Sequence, residues 1–248
     1  MPVAPLIWAD PDGLAVGRPA IVTGFVDGVL LDRLLSGADA DTARGAGAAV
    51  GRALAAIGRV TFERPGFLNA ALEPEAIPGG TNAGLPSELL AFARRPLLEG
   101  AAGRWLGPQA AAAWWRALEA AAPALAAVDG PPVLVHADFN GKNLLLTTSD
   151  EGLEVSAVLD WEFGFAGSAL FDVGNLLRFA DALPDGFEAS FVAAYEAGGG
   201  RLVGDWRTHA RLLDVFALVD LLERGSPGTP VFDAVLALVR ARAARGEA

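Results

Sequence analysis

The sequence predicts an α+β protein in which helices dominate, and three observations carry that expectation. Alanine supplies much of an apolar fraction of 52%, and alanine is the strongest helix former. Short apolar runs bounded by turn residues open the chain and return once, at residues 133–163. Elsewhere apolar residues recur at helical spacing over long segments. With 248 residues the chain can bury a sizeable core, in one large domain or one and a half.

Taken in order, "PLIWADP" and "PAIVTGFV" read as two strands, punctuated by the turn signals "PDG" and "GRP". "GVLLDRLLS" then starts a helical pattern. Residues 39–60 form a long alanine-rich helix, with Asp39 or Asp41 as its N-cap. Gly45, Gly47 and Gly51 within it approach a dinucleotide fingerprint, but no strand precedes them and the third glycine is one position late. They are read as sites of close helix packing, which ranks a dinucleotide-dependent oxidoreductase low. Residues 61–88 are loop-rich, with several Pro and Gly. Helices are expected at roughly 88–104 and 108–122, the second holding Trp114 and Trp115. Adjacent residues on a helix cannot face the same way, so one of the two is expected in the core. After 133–163, the one part of the second half that reads as β, helices follow near 168–181, 186–197, 204–224 and 230–245. His209 is expected on a helix surface, and Trp161 in the core.

The net charge is −11, which argues against a general basic surface for nucleic acid. No apolar run is long enough to span a bilayer, so no membrane partner is expected. The N-terminus "MPVAPLIWADPDG" lacks the basic flank of a secretory signal. No cysteine is present, which excludes a disulfide framework and a thiolate metal site. A cytoplasmic protein is the expectation.

The segment "HADFNGKN", His136–Asn143, holds the single lysine of the chain, Lys142. Downstream, "LLLTT" and "LEVSAVL" flank the turn "SDEG" and read as a hairpin. Opposed residues in an antiparallel ladder lie about 4.5–5.5 Å apart. Asn143, just before the first strand, and Asp160, just after the second, should therefore meet at the hairpin's mouth, within a residue of register. Asp138 stands in the loop feeding that mouth. Three oxygen-bearing side chains thus converge. Such ligands suit Mg²⁺, which keeps waters and is completed by phosphate oxygens, and they do not suit zinc. A carboxylate outside the metal shell can accept a hydroxyl proton. This is equipment for phosphoryl transfer. His136 is read as structural, because no serine in a nucleophile elbow accompanies it.

His-x-Asp, four residues, Asn, a strand pair and Asp also resemble the catalytic and metal loops of protein-kinase-like phosphotransferases. "VLVHADFNGKNLL" and "AVLDWEFGFAGSALFDVGNLLR" look most like the aminoglycoside phosphotransferase branch. "AIVTGFVDGVLL" is similar to that family's hinge, and "FERPGFL" to a segment after its first long helix. The resemblance covers nearly the whole chain and rests on the two loop motifs together. It implies a protein-kinase-like fold, with a truncated antiparallel β small lobe over residues 1–28, ending in the hinge, and a helical large lobe over 29–248. It further implies Asp138 as the base that orients the substrate hydroxyl. Asn143 and Asp160 would hold Mg²⁺ against the phosphates of ATP. The backbone near Gly24 and Val26 would bind adenine, and Asp172 would anchor the catalytic loop through backbone N–H groups. Lys142 is either a mobile cation for the transferring phosphate or a solvated loop lysine; the family's catalytic-loop lysine position is Asn140 here. Glu162 is either a second acid near the metal or a loop hydrogen-bonding group.

The family's small lobe carries a phosphate-covering loop, a strand lysine and a helix glutamate ahead of the hinge, and nothing before residue 23 matches them. The expectation is a fragment with weak ATP affinity and little turnover. The alternative is a non-catalytic, pseudokinase-type binding module. The exposed small-lobe edge leaves open a homo-oligomer or a partner chain. The expected substrate is a small molecule bearing a hydroxyl.

Overall fold

The structure, a computed structural model, describes residues 2–76 and 83–248. Its architecture is α+β, as the sequence predicts. The chain divides into two compact units. One holds residues 1–60, 138–163 and 179–202; the other holds 61–137, 164–178 and 203–248. Among the described residues no helix is long and apolar enough to cross a membrane.

In the first unit, β1 (Leu6–Asp10) and β2 (Ala20–Thr23) form an antiparallel ribbon. Asp10 orders the loop between them by accepting from the N–H groups of Leu14, Ala15 and Val16 at 2.9, 2.7 and 3.2 Å. A second sheet has the order β3 (Val29–Leu30), β7 (Leu144–Ser149), β8 (Gly152–Val158). Beneath it runs α2 (Ala40–Ile57), capped by Asp39, whose carboxylate accepts from the Thr42 N–H at 2.8 Å. A carboxylate there satisfies one of the orphan amides of the first turn. α2 packs along α7 (Phe187–Ala197). At Gly47 and Gly51 a Cβ would collide with the carbonyl oxygens of Phe187 and Phe191, so the two helices meet backbone to backbone and only glycine fits. The sequence reading of these glycines as packing sites holds for both. The short α1 (Leu31–Leu35) follows β3 and buries Leu31.

The second unit is built around helices α3 (Leu85–Leu98), α4 (Ala101–Leu106), α5 (Pro108–Ala121), α6 (Leu170–Leu176), α8 (Trp206–Arg224) and α9 (Pro230–Arg245). Leu89, Leu97, Trp114, Leu118, Leu218 and Phe232 are buried in their common core. Each large apolar side chain so removed from water contributes roughly 1.5–3 kcal/mol. Trp114 is the buried member of its pair and Trp115 is half-buried. A sheet of short strands completes the unit, in the order β5 (Pro74–Glu75), β4 (Gly66–Leu68), β9 (Phe165–Gly167), β6 (Val133–Val135).

Three expectations are corrected. The single helix expected over 88–104 is two. Gly100 adopts an extended conformation, and the Glu223 carboxylate caps the new start by accepting from the Ala102 N–H at 2.9 Å. The loop-rich 61–88 contains β4 and β5, and β9 lies beyond 163; residues 77–82 of that segment fall outside the described residues. His209 is buried, because α8 lies within the core and buries residues around most of its circumference.

Candidate active site

The β7–β8 hairpin forms where it was expected, closed by a turn at residues 150–151, with Leu144 opposite Val158. Past that pair the Leu159 N–H donates to the Asn143 carbonyl at 2.8 Å. Asn143 therefore faces Leu159, and Asp160 follows immediately, one residue from the expected register. Asp160 is exposed and sits in left-handed backbone, φ 63°.

The loop before the hairpin closes on Asp138. Asn143 Nδ2 donates to the Asp138 carbonyl at 2.9 Å and to its Oδ2 at 2.7 Å. Asn140 Nδ2 donates to Asp138 Oδ1 at 2.7 Å. The Asn143 N–H returns to the Asn140 carbonyl at 3.0 Å. Each carboxylate oxygen of Asp138 thus takes one amide donor. With Nδ2 of Asn143 spent on Asp138, the polar atom it has left is Oδ1, a ligand atom. Phe139 between them is buried, which ties the loop to the core. At Gly141 a Cβ would meet the Asp32 carboxylate of α1, and the Asp32 N–H donates to the Gly141 carbonyl at 3.1 Å.

Ala137, the residue before Asp138, is also left-handed, φ 67°. That conformation costs an L-residue about 1–2 kcal/mol. The buried Asp172 offsets it, accepting from the N–H groups of His136 and Ala137 at 2.8 Å each. Charge-assisted bonds of this kind are the strong ones. The anchoring geometry expected of Asp172 is present, and His136 is buried, with its backbone N–H in that anchor.

The remaining candidates are placed as follows. Lys142 is exposed, and its N–H donates to Asn140 Oδ1 at 3.0 Å. Glu162 is exposed; Trp161 is half-buried rather than in the core, because its Nε1 donates to the Val158 carbonyl at 2.9 Å at the hairpin's end. The Gly24 N–H donates to the Pro5 carbonyl at 2.8 Å, and Val26 lies half-buried in the segment between β2 and β3. That segment is fastened to the hairpin: Ser156 Oγ donates to the Asp27 carbonyl at 3.0 Å, and Val29 pairs with Leu146. Asn140 is the residue whose part the sequence reading missed. Its signal was its place two residues after Asp138, where its amide reaches back over the carboxylate. Among the described residues no three His, Cys, Asp or Glu side chains gather as a metal cluster. An ion here would rest on the Asn143 amide oxygen and the Asp160 carboxylate.

The chain matches the model of a family described as the phosphotransferase enzyme family over residues 1–212. Comparison with curated proteins returns no match. Among solved structures, it is similar to a candidate aminoglycoside phosphotransferase from Ralstonia eutropha JMP134. The identity is 19% and the TM-score 0.66, over 99% of this chain and 77% of that one. It is similar to a thermostable variant of the aminoglycoside phosphotransferase APH(4)-Ia in ternary complex with AMP-PNP and hygromycin B, at 18% identity and TM-score 0.67, covering 99% and 76%. A GDP and kanamycin complex of an APH(2")-type enzyme gives 12% identity and TM-score 0.68, covering 98% and 76%. At these identities the likeness is one of fold, and that fold is the protein-kinase-like one expected from the loop motifs.

Proposed function

Because the chain belongs to the phosphotransferase enzyme family, we propose that it transfers the terminal phosphoryl group of ATP to a hydroxyl of a small molecule. The observation that carries this reading is the Asp138 carboxylate held between the amides of Asn140 and Asn143. In the proposed reaction the acceptor hydroxyl oxygen forms the new bond to phosphorus and its proton passes to Asp138. The bond to the β-phosphate oxygen breaks, and ADP leaves with that electron pair. Asp138 orients the nucleophile, and Asn140 and Asn143 keep its oxygens from turning away. Positioning of this kind supplies much of the rate enhancement in phosphoryl transfer.

Asn143 and Asp160 are the residues that would hold Mg²⁺. An amide oxygen and a carboxylate, completed by phosphate and water, match that ion's preference for few protein ligands. When bound it would neutralise charge on the phosphates. Val26 would offer its N–H to adenine, since the Gly24 N–H is taken by Pro5. Lys142, exposed beside the loop, would approach the phosphates as a mobile cation. A Lys142→Arg variant with unchanged turnover and ATP KM would remove that role. The acidic chain is proposed to work in the cytoplasm, with neither nucleic acid nor membrane as partner.

Isothermal titration of Mg·ATP into the wild type and an Asp160→Asn variant tests the reading. Binding in the wild type that is lost in the variant is the expected result. No nucleotide binding in either protein would point instead to a non-catalytic binding module.

A further inference from the structure

Helices α8 and α9 of the second unit, with the segment just past α6, carry Arg178, Arg211 and Arg242 around the buried carboxylate of Asp214. Gly174 of α6 leaves no room for a Cβ against the Ala210 carbonyl, so α6 lies directly on α8. One turn further along α8, Asp214 accepts two hydrogen bonds from Arg178, Nε at 2.9 Å and Nη2 at 2.7 Å. The two side chains are 7% and 0% exposed, so this bidentate pair is closed. Arg242 comes from the last turn of α9 and is 5% exposed. Its Nη1 has no hydrogen-bond partner among the described residues.

That arrangement is physically incomplete. An arginine does not shed its proton, and a buried cation without an acceptor is costly. Burial draws the Arg242 guanidinium below its ordinary value; Asp214 opposes this, while Arg211 and Arg178 push the same way and Glu247 opposes weakly. Asp214 is already engaged by Arg178. Glu247 is engaged by Arg245, Nη2 to Oε2 at 2.9 Å. Arg211, on α8 three residues before Asp214, is exposed, and its positive charge acts on Arg242. An oxyanion matches the need: guanidinium groups bind phosphate and carboxylate oxygens with charge-assisted, often paired, hydrogen bonds.

We propose that Arg242 and Arg211 form an oxyanion site in the second unit, taking a phosphate or carboxylate group, separate from the Asp138–Asn143 loop and Asp160. The occupied site completes the Arg242 hydrogen bonding and stabilises the junction of α8 and α9.

Thermal denaturation in inorganic phosphate, in acetate and in chloride at matched ionic strength tests this. The melting temperature of the wild type should rise by roughly 3–6 °C once the effective anion exceeds its Kd tenfold. Acetate acting in place of phosphate would identify a carboxylate rather than a phosphate ligand; either acting through Arg242 supports the site. Arg242→Met should lose the rise, and Arg211→Met should lose most of it. Should Arg242→Met fail to fold, Arg211→Met carries the test, because that side chain is exposed. Asp160→Ala should keep the full rise. A wild type indifferent to both anions, or Arg242→Met and Arg211→Met variants responding like the wild type, overturns the proposal. So does a response abolished by Asp160→Ala, which would put the ion at the phosphoryl-transfer residues.

Discussion

The β1–β2 ribbon and the β7–β8 hairpin are both antiparallel strand pairs of the first unit, yet they are built to different ends. In the hairpin Leu144, Leu146, Ala157 and Val158 are buried, and β3 and α2 lie against it. In the ribbon Leu6 is 62%, Ile7 67% and Ile21 68% exposed. The turns differ in the same sense. The ribbon's loop places glycines, Gly13 and Gly17, at its left-handed positions, where they cost nothing. The loops into and out of the hairpin place Ala137 and Asp160 there. Strain concentrates where the surrounding structure can hold it and where side chains are needed. The comparison teaches that packing, and not strand pattern, separates the two pairs.

The largest expected effect lies at the hairpin's mouth. Asp138→Ala should lower turnover by about 10²–10⁴-fold with nucleotide affinity unchanged, read by a coupled assay for ADP and by titration. Next, Leu146→Ala should cost roughly 2–5 kcal/mol in urea unfolding, whereas Ile7→Ser on the ribbon should stay within about 0.5 kcal/mol. Equal costs at the two positions would break the comparison, since the ribbon would then have to be covered. A smaller change sharpens it: Ala137→Gly should stabilise by roughly 0.5–1 kcal/mol as the left-handed strain is relieved. A loss of stability there would show that Ala137 is not strained.

The smallest effect is on the ribbon and depends on pH. Burial alone would raise the Asp10 carboxyl, but the N–H groups of Ala15, Leu14 and Val16 outweigh it and hold it below the ordinary carboxylate value. A depressed folded-state value means that the loop's order is present above the unfolded carboxyl's pKa, about 3.9. It is lost as pH falls through the lower, folded value. Amide chemical shifts of Leu14 to Val16 should move in that acid window and not near neutrality. Asp10→Asn should abolish the movement.

What the sequence revealed and what it hid divide along the range of the forces involved. The "SDEG" turn and the flanking apolar, strand-like runs announced the hairpin, and Asp39 announced the start of α2; these are local signals. The spacing of Asn143 and Asp160 announced their place at the hairpin's mouth, because a hairpin with a short turn fixes what stands there. The break at Gly100 was hidden, since its cap, Glu223, lies 121 residues from Ala102. Three-residue strands such as β4 and β9 owe their form to each other and not to their own propensity. The burial of His209 depends on how α8 is surrounded, which periodicity does not report. Asn140 was in view but read only as a position lacking lysine; its hold on Asp138 needs side-chain geometry.

The central proposal is that the loop holding Asp138 and Asn143 and the residue Asp160 beyond the hairpin serve one divalent ion with its nucleotide. Mn²⁺, added with ATP, broadens the amide resonances of residues near it. The account predicts that Asp138, Asn143 and Asp160 broaden together at substoichiometric Mn²⁺, while Leu6 and Ile21 of the ribbon remain sharp. Broadening confined to one of the three, or spread evenly over the acidic surface, would contradict it.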